Sequence, residues 1–232
     1  MLELKNIGYS VVGNNDTIDI LKNINLKFKK GINVITGPNG SGKSTLIKLI
    51  IGINAPSNGQ VVYNKQDISN LSITNRANLG FTLAFQQPIK FKGLKVKDLL
   101  DIASSKTNKL SDACTYLSQV GLCAKDYINR ELDGTLSGGE LKRIELALAL
   151  AKGGNVFLFD EPEAGIDLWS FENLIGLFKK LKDKIVIIVS HQEKIIECAN
   201  NVIVLENDMA KQYSHGDAID KIKKSQCGKL EG

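Results

Sequence analysis

The sequence is poor in the residues that build membrane spans and aromatic clusters. Aromatic residues make up 6% of the 232-residue chain, with a single Trp, and no apolar run approaches the roughly 18 residues needed to cross a bilayer. The first residues contain no basic region followed by an apolar core, so no secretory signal is expected. We therefore predict a cytoplasmic protein with no direct membrane insertion. Any membrane role would have to come from a separate partner chain.

Cysteine and charged blocks are also scarce. The four cysteines include no Cys-x-x-Cys pair, so reduced thiols are the default expectation rather than a metal site. The 30 basic and 25 acidic residues are spread along the chain and give a net charge of +5. This pattern favours solvated lysine faces over a nucleic-acid surface, so no nucleic-acid partner is expected.

The chain does contain apolar strands that alternate with helical segments. Residues 156–159 and Ile185–Val189 are continuously apolar, and helical patterns follow at residues 168–181 and 193–199. This alternation is typical of a parallel sheet covered on both faces, in one α/β domain. The pattern becomes helical and more polar over about residues 94–132, which predicts an inserted helical lobe. The remaining divisions are a main core, residues 1–93 and about 133–216, and a tail, residues 217–232.

The strongest single motif is a glycine-rich loop between a strand and a helix, which we call the phosphate loop (residues 37–45). Backbone N–H groups of such a loop and the N-terminus of the following helix bind nucleotide phosphates. The motif predicts that Lys43 bridges the β- and γ-phosphates of ATP, that Ser44 ligates Mg²⁺, and that Thr45 contacts the α-phosphate. The residues expected to bind ATP here are Gly37, Asn39, Gly40, Ser41, Gly42, Lys43, Ser44 and Thr45.

Two adjacent carboxylates follow the apolar residues 156–159. Asp160 and Glu161 stand at the C-terminal end of this predicted strand, where α/β sheets place their ligands. We expect Asp160 to hold Mg²⁺ through water and Glu161 to act as the general base on the attacking water. Solvated acids at a strand end would be the favoured interpretation if the pair stood alone. The phosphate loop upstream makes the functional interpretation the better one.

A second glycine-rich motif begins another predicted helix. Ser137, Gly138 and Gly139, here called the signature segment, begin 24 residues before Glu161. A serine and two glycines at a helix N-terminus form a second anion site. One chain does not need two γ-phosphate sites for one ATP. We therefore predict an ATP-dependent homodimer, with each ATP between Lys43 of one copy and Ser137 of the other.

The signature segment and its spacing resemble those of the ATP-binding cassette (ABC) ATPases, and the resemblance covers residues 2–216. It implies the ABC ATPase fold: an α/β P-loop NTPase with a mostly parallel sheet flanked by helices, an N-terminal antiparallel β part and an inserted helical subdomain. It also implies that Gln86 reaches Mg²⁺ and the attacking water. Gln86 is preferred to Gln87 because an apolar residue precedes it and Pro88 follows soon after. His191 would contact the γ-phosphate, so the expected catalytic residues are Glu161, His191, Gln86 and Lys43.

Other positions match the same family less closely. The D-loop, Gly165-Ile166-Asp167, is expected to cross the dimer interface. Tyr9 matches the aromatic residue that stacks on adenine, although a strand-end tyrosine that only packs is the alternative. The chain departs from the family pattern in two places. Ser190 replaces the more common threonine before the histidine, and Glu163-Ala164 stands between Pro162 and Gly165, where many relatives carry Thr or Ser.

The segment after Gln86, where partners dock in this family, separates two kinds of ABC ATPase. Transporter motors usually carry there an aromatic-Pro turn, a Thr-Val pair and a Glu-Asn pair, and this chain lacks all three. Similarity to SufC, the ATPase of the SUF iron–sulfur cluster assembly system, is found instead in residues 83–88, 93–96, 160–167 and 190–196. The stretch 160–167 is most similar to SufC-like proteins of archaea and anaerobic bacteria. That resemblance implies a SufB-like scaffold partner. The alternative is the nucleotide-binding motor subunit of a membrane ABC transporter, with an ABC permease as partner. The lack of a long heptad insertion argues against a chromosome-maintenance ATPase.

Overall fold

The computed structural model describes residues 1–13, 16–85, 91–105, 110–133, 135–213 and 217. The strands in these ranges are β1 (Leu2–Val12), β2 (Thr17–Phe28), β3 (Gly31–Thr36), β4 (Asn58–Tyr63), β5 (Gln66–Asp67), β6 (Phe81–Ala84), β7 (Phe91–Lys95), β8 (Glu131–Leu132), β9 (Val156–Asp160), β10 (Ile185–Val189), β11 (Asn201–Glu206) and β12 (Met209–Tyr213). The helices are α1 (Lys43–Ile51), α2 (Ile73–Asn78), α3 (Val96–Ser104), α4 (Leu110–Gln119), α5 (Ala124–Tyr127), α6 (Gly138–Lys152), α7 (Leu168–Lys180) and α8 (Glu193–Glu197).

The largest sheet has six strands in the order β12-β11-β3-β10-β9-β6. All neighbours pair in parallel except the edge strand β12, which is antiparallel to β11. In β10, Val186 and Ile188 face one core while Ile187 and Val189 face the other. Because side chains alternate and both faces are covered, every position of this strand is apolar. The predicted mostly parallel sheet is confirmed.

Different elements cover the two faces of this sheet. One face packs against α1 and a four-stranded antiparallel sheet of order β2-β1-β4-β5, through residues such as Leu46, Leu4 and Ile24. The other face packs against helices later in the chain, including α6 and α7. The N-terminal antiparallel part is therefore present as the family fold requires. The fold holds the phosphate loop at one end of the central sheet.

Three helices, α3, α4 and α5, fall inside the predicted helical lobe. The short pair β7 and β8 frames them, with Lys95 opposite Glu131. Both α3 and α4 pack against α6, and Leu100 and Leu117 share one core with Ile144. The helical content agrees with the pattern, while the division of the chain at residues 94 and 132 stays a prediction.

A fully buried arginine ties α2 to the end of α1. Arg76 is 0% exposed, and its Nη1 donates to the carbonyl oxygens of Leu49 at 2.7 Å and Ile50 at 2.8 Å. Its Nη2 and Nε donate to the carbonyl oxygens of Ser69 and Leu71. Burial lowers the pKa of Arg76, and the nearby Asp67 opposes this effect. The guanidinium thus satisfies carbonyl groups at the C-terminus of α1 that the helix leaves without partners.

Some boundaries and elements differ from the expectation. Helices α7 and α8 end at Lys180 and Glu197, before the predicted ends at residues 181 and 199. Neither α2, whose residues are mostly polar, nor β12 was predicted from the sequence. Within the described residues, no helix is long and apolar enough to cross a membrane.

Candidate nucleotide site

The phosphate loop joins β3 to α1, as its motif predicts, and its shape depends on glycine. Gly37 has φ +142°, and a Cβ atom there would lie 2.0 Å from the Leu205 carbonyl oxygen. Gly42 is left-handed at φ +91°, and a Cβ atom there would lie 2.8 Å from Cδ2 of Leu21. Glycine alone fits such positions without strain. The loop therefore places backbone N–H groups around the N-terminus of α1.

Lys43 ends inside this loop. Its Nζ donates to the carbonyl oxygens of Gly37 at 2.9 Å and Pro38 at 2.7 Å, and the residue is 6% exposed. Burial lowers the pKa of Lys43, and the charges of Glu161 and Asp160 raise it. A second polar group, Ser41 Oγ, is buried with no hydrogen-bond partner in the described part of the chain. An ammonium group and a buried hydroxyl within a cradle of N–H groups suit phosphate oxygens.

Ser44 and Asp160 meet beneath the loop. The Ser44 hydroxyl donates to Oδ1 of Asp160 at 3.2 Å. Asp160 is 7% exposed, so burial raises its pKa, while the bond from Ser44 lowers it. No cluster of three His, Cys, Asp or Glu that would enclose a metal occurs in the described residues. Mg²⁺ usually takes one or two carboxylates together with phosphates and water, so this pair fits a Mg²⁺ shared with a nucleotide.

Glu161 follows with an unusual backbone conformation. Its φ is +47°, and its N–H donates to the Val189 carbonyl oxygen at 3.0 Å. A non-glycine residue with positive φ is uncommon and costs backbone energy. This conformation turns Glu161 toward an open pocket of about 390 Å³. The pocket is lined by Ile20, Asn39, Gly40, Gly42, Lys43, Ser44, Thr45 and Glu161.

The pocket contains one residue that the sequence analysis missed, Ile20 of β2. An apolar residue in a strand is normally taken as core, so its signal was weak. Tyr9, predicted to stack on adenine, does not line the pocket. Its hydroxyl accepts from Nδ2 of Asn54 at 3.1 Å, and its ring packs against the core between the two large sheets. The adenine role of Tyr9 stays a prediction.

His191 lies just beyond the end of β10. Partial burial lowers its pKa, the positive charge of Lys43 lowers it further, and Glu161 raises it. These effects place the imidazole within electrostatic range of both Lys43 and Glu161. The lowered pKa favours the neutral form of the His191 imidazole. Gln86, the remaining predicted catalytic residue, lies outside the described residues.

The signature segment lies apart from this pocket. Ser137 caps α6 through a reciprocal pair of bonds, because its Oγ accepts from the Glu140 N–H and its own N–H donates to Oε2 of Glu140 at 2.7 Å. Ser137 and Gly138 are exposed, and neither they nor Gly139 line the pocket of the same chain. The structure thus presents two separate surfaces, one at each predicted anion site.

Glu140 is held ionised by its neighbours. The Tyr127 hydroxyl donates to Glu140 Oε1 at 2.5 Å, and Arg130 lies 3.5 Å from the same oxygen. These bonds, first from Tyr127 and then from Ser137, lower the pKa of Glu140 to about 2. A carboxylate in the first turn of a helix also interacts favourably with the helix dipole. These contacts stabilise the first turn of α6.

A glycine-rich loop between a strand and a helix, beside a strand that ends in two carboxylates, defines a P-loop nucleotide-hydrolysing protein. The family described as ABC transporter matches residues 21–164 of this chain. The chain belongs to that family, binds ATP and is an ATP hydrolase. Its mixed α/β fold, with a mostly parallel sheet and covering helices, is shared with solved ABC ATPase cassettes.

Individual relatives agree with this assignment. The uncharacterized ABC transporter ATP-binding protein MJ0035 of Methanocaldococcus jannaschii is 36% identical, over 91% of this chain and 89% of the relative. The sulfate/thiosulfate import ATP-binding protein CysA of Synechocystis sp. is 32% identical over 86% of this chain, which spans only 57% of that relative. A dimeric post-hydrolysis structure of the ATP-binding cassette MJ0796 bound to ADP and Pi has TM-score 0.84 and 26% identity, covering 93% of this chain and 99% of the other.

Proposed function

We propose that this ATPase is the ATP-binding subunit of a membrane transporter and that two copies close head to tail around two ATP molecules. The observation that carries the dimer is the separation of the exposed signature segment from the pocket that holds Lys43 and Glu161. A second copy would bring its Ser137 over the first copy's pocket. The dimeric structure of the similar cassette MJ0796 supports this arrangement.

The residues of one pocket suggest how hydrolysis proceeds. The phosphate loop and Lys43 hold the β- and γ-phosphates, and Ser44 with Asp160 would hold Mg²⁺, which neutralises phosphate charge when bound. Glu161 takes a proton from the attacking water, whose oxygen bonds to the γ-phosphorus as the bond to the bridging oxygen breaks. The imidazole of His191 can donate a hydrogen bond to a γ-phosphate oxygen. The N–H groups at the start of the second copy's α6 face the same phosphate.

The test of the dimer is size-exclusion chromatography of Glu161→Gln with ATP and Mg²⁺. Without its general base this variant should bind ATP, hydrolyse it slowly and elute as a dimer. Adding Ser137→Arg places a bulky side chain at the shared phosphate and should return the protein to a monomer that still binds ATP. A monomeric Glu161→Gln protein saturated with ATP would refute the shared site.

An apolar groove supports a transporter partner. It has a volume of about 310 Å³ and lies beside α2, β6 and α6, with the partly exposed apolar side chains of Ile53, Ile73 and Phe85 in its wall. The two charged residues there are already bonded to backbone, since Glu145 accepts from the Phe85 N–H and Lys152 donates to the Phe81 carbonyl oxygen. The groove therefore offers apolar contacts. We propose that it takes a short apolar-faced helix from the cytoplasmic side of a permease.

A soluble iron–sulfur scaffold of the SufB type is the second candidate partner. The similarity of residues 83–88 and 190–196 to SufC favours this partner, as does the lack of the usual transporter motifs after Gln86. The relatives named above carry transport names and favour the permease. Affinity purification of the tagged protein from detergent-solubilised native cells separates the two. Recovery of a polytopic membrane protein supports the transporter, and recovery of a soluble scaffold supports the SUF role.

A further inference from the structure

Glu163 and Ser190, which both lie where the chain departs from the family pattern, are in direct contact. The hydroxyl of Ser190 donates to Oε1 of Glu163 at 2.5 Å, although the two residues are 27 positions apart. Ser190 is 0% exposed, and its Oγ also accepts from the Gln192 N–H at 3.0 Å. The Ser190 hydroxyl therefore connects Gln192, on the other side of His191, to Glu163 in the turn that follows Glu161.

Backbone hydrogen bonds stabilise that turn. The N–H of Ala164 donates to the Glu161 carbonyl oxygen at 3.1 Å, and the N–H of Ile166 donates to the Glu163 carbonyl oxygen at 3.1 Å. These bonds connect Glu163 to Glu161 and to the D-loop. Next to this turn lies the signature helix, because a Cβ atom on Gly139 would be 2.8 Å from the Gly165 carbonyl oxygen. Consecutive contacts through Gly165 and Glu163 thus connect the signature segment to Ser190, the residue before His191.

The Glu163 carboxyl group is buried. Burial raises the pKa of Glu163, and the bond from Ser190 lowers it together with nearby backbone N–H groups. Its second oxygen, Oε2, is buried without a hydrogen-bond partner in the described ranges. Burying a carboxyl group costs stability that an apolar side chain of similar size would not cost. Stability alone therefore does not account for a glutamate at this position.

We propose that Glu163 is a positioning residue, whose carboxylate fixes Ser190 and so holds the His191 loop in register with Glu161 and the D-loop. The proposal rests on the roles given to Glu161 and His191 in the proposed function. In the dimer, contact of the signature segment with the opposite ATP would reach His191 of its own chain through this bond. The pair Glu163–Ser190 thus links nucleotide engagement on one side of the interface to hydrolysis on the other.

The test is a double-mutant cycle on ATP hydrolysis. Glu163→Ala and Ser190→Ala should each lower kcat about tenfold while ATP affinity stays within about twofold, because phosphate binding does not use the bond. The double variant should be no slower than either single variant. Glu163→Gln and Ser190→Thr keep an acceptor and a donor, and both should return kcat to within about threefold of the unaltered protein.

Several results would overturn the proposal. They are an unchanged kcat in Ser190→Ala, a double variant about a hundredfold slower, as independent effects would give, and a Glu163→Gln protein as slow as Glu163→Ala. If Glu163→Ala does not fold, Ser190→Ala with its Ser190→Thr rescue decides the question alone. The Glu161→Gln dimer assay keeps Glu163 and Ser190 intact. A failure of the shared ATP site is therefore seen separately from a failure of this link.

Discussion

Gly139 packs so closely against Gly165 that a Cβ atom on Gly139 would lie 2.8 Å from the Gly165 carbonyl oxygen. The neighbouring Gly138 has nothing within 4 Å of such an atom. The two glycines share the first turn of α6 but differ in what surrounds them. One fits against the D-loop, and the other is open to solvent.

This difference predicts that alanine at the two positions changes the free energy of unfolding of the nucleotide-free protein differently. Gly139→Ala should lower the free energy of unfolding by about 1–3 kcal/mol, because backbone atoms must shift to admit the methyl group. Gly138→Ala should leave it unchanged or raise it by up to about 1 kcal/mol, since alanine favours a helix. Urea denaturation of both variants measures the difference. Equal effects would contradict the close contact.

Lys43 is expected to control both ATP binding and the titration of His191. Lys43→Met removes the ammonium group from the phosphate loop and should abolish measurable ATP binding. It should also raise the pKa of His191, because the charge of Lys43 is one cause that lowers it. NMR titration of His191, assigned by comparison with a His191→Gln spectrum, measures the shift. An ATP affinity within a few-fold of the original, or a lower pKa of His191, would be the contrary result.

The lowered pKa of Glu140 predicts that the folded protein loses stability in acid. Its folded-state pKa of about 2 lies below the ordinary 4.5, so the carboxylate stabilises the fold at pH values above 4.5. That contribution is lost as the pH falls from 4.5 toward 2. Tyr127→Phe removes the first cause of the lowered pKa and should make this loss smaller. The free energy of unfolding as a function of pH, compared for Tyr127→Phe and the unaltered protein, checks the sign. Identical slopes in this window would show that Tyr127 does not hold Glu140 ionised.

Arg76 is predicted to stabilise the end of α1. Arg76→Met would leave buried carbonyl oxygens of Leu49, Ile50 and Ser69 without this donor, which should cost about 2–5 kcal/mol. Lys48→Met, at an exposed position of the same helix, should change stability by less than about 0.5 kcal/mol. Thermal unfolding followed by circular dichroism measures both variants. Similar effects of the two would rule out the capping role.

The apolar groove predicts how partner binding can be lost without loss of ATP binding. Ile73 is 47% exposed in the groove wall, so Ile73→Glu should reduce recovery of the partner at least about tenfold and leave ATP affinity unchanged. Met209→Glu, at a 52% exposed position on β12, is the matched control and should retain the partner. Equal recovery with both variants would place the docking surface elsewhere.

Continuous patterns made the central sheet predictable. β10 was located correctly because all five of its residues are apolar, and α1 was recognised because glycines delimit it. Helix α2 was missed because its residues are mostly polar and because its buried residue is Arg76, a residue type that is normally exposed. Elements held by one polar side chain carry no periodic signal.

Some features of the candidate site were likewise predictable from the sequence, and others were not. Lys43, Ser44 and Asp160 were predicted because each belongs to a motif of fixed spacing. The bond between Glu163 and Ser190 was not, although both residues were recognised as departures from the family pattern. A contact across 27 positions depends on the pairing of β9 with β10, which a single sequence does not specify.

The positive φ of Glu161 sets selection for activity against selection for stability. A glycine there would adopt φ +47° freely, so Glu161→Gly would relieve the backbone energy that glutamate stores. Mutational drift toward a more stable protein would thus remove the proposed general base. Among descendants of this protein, those that retain glutamate at position 161 would still hydrolyse ATP. Those that lose it would keep only the fold.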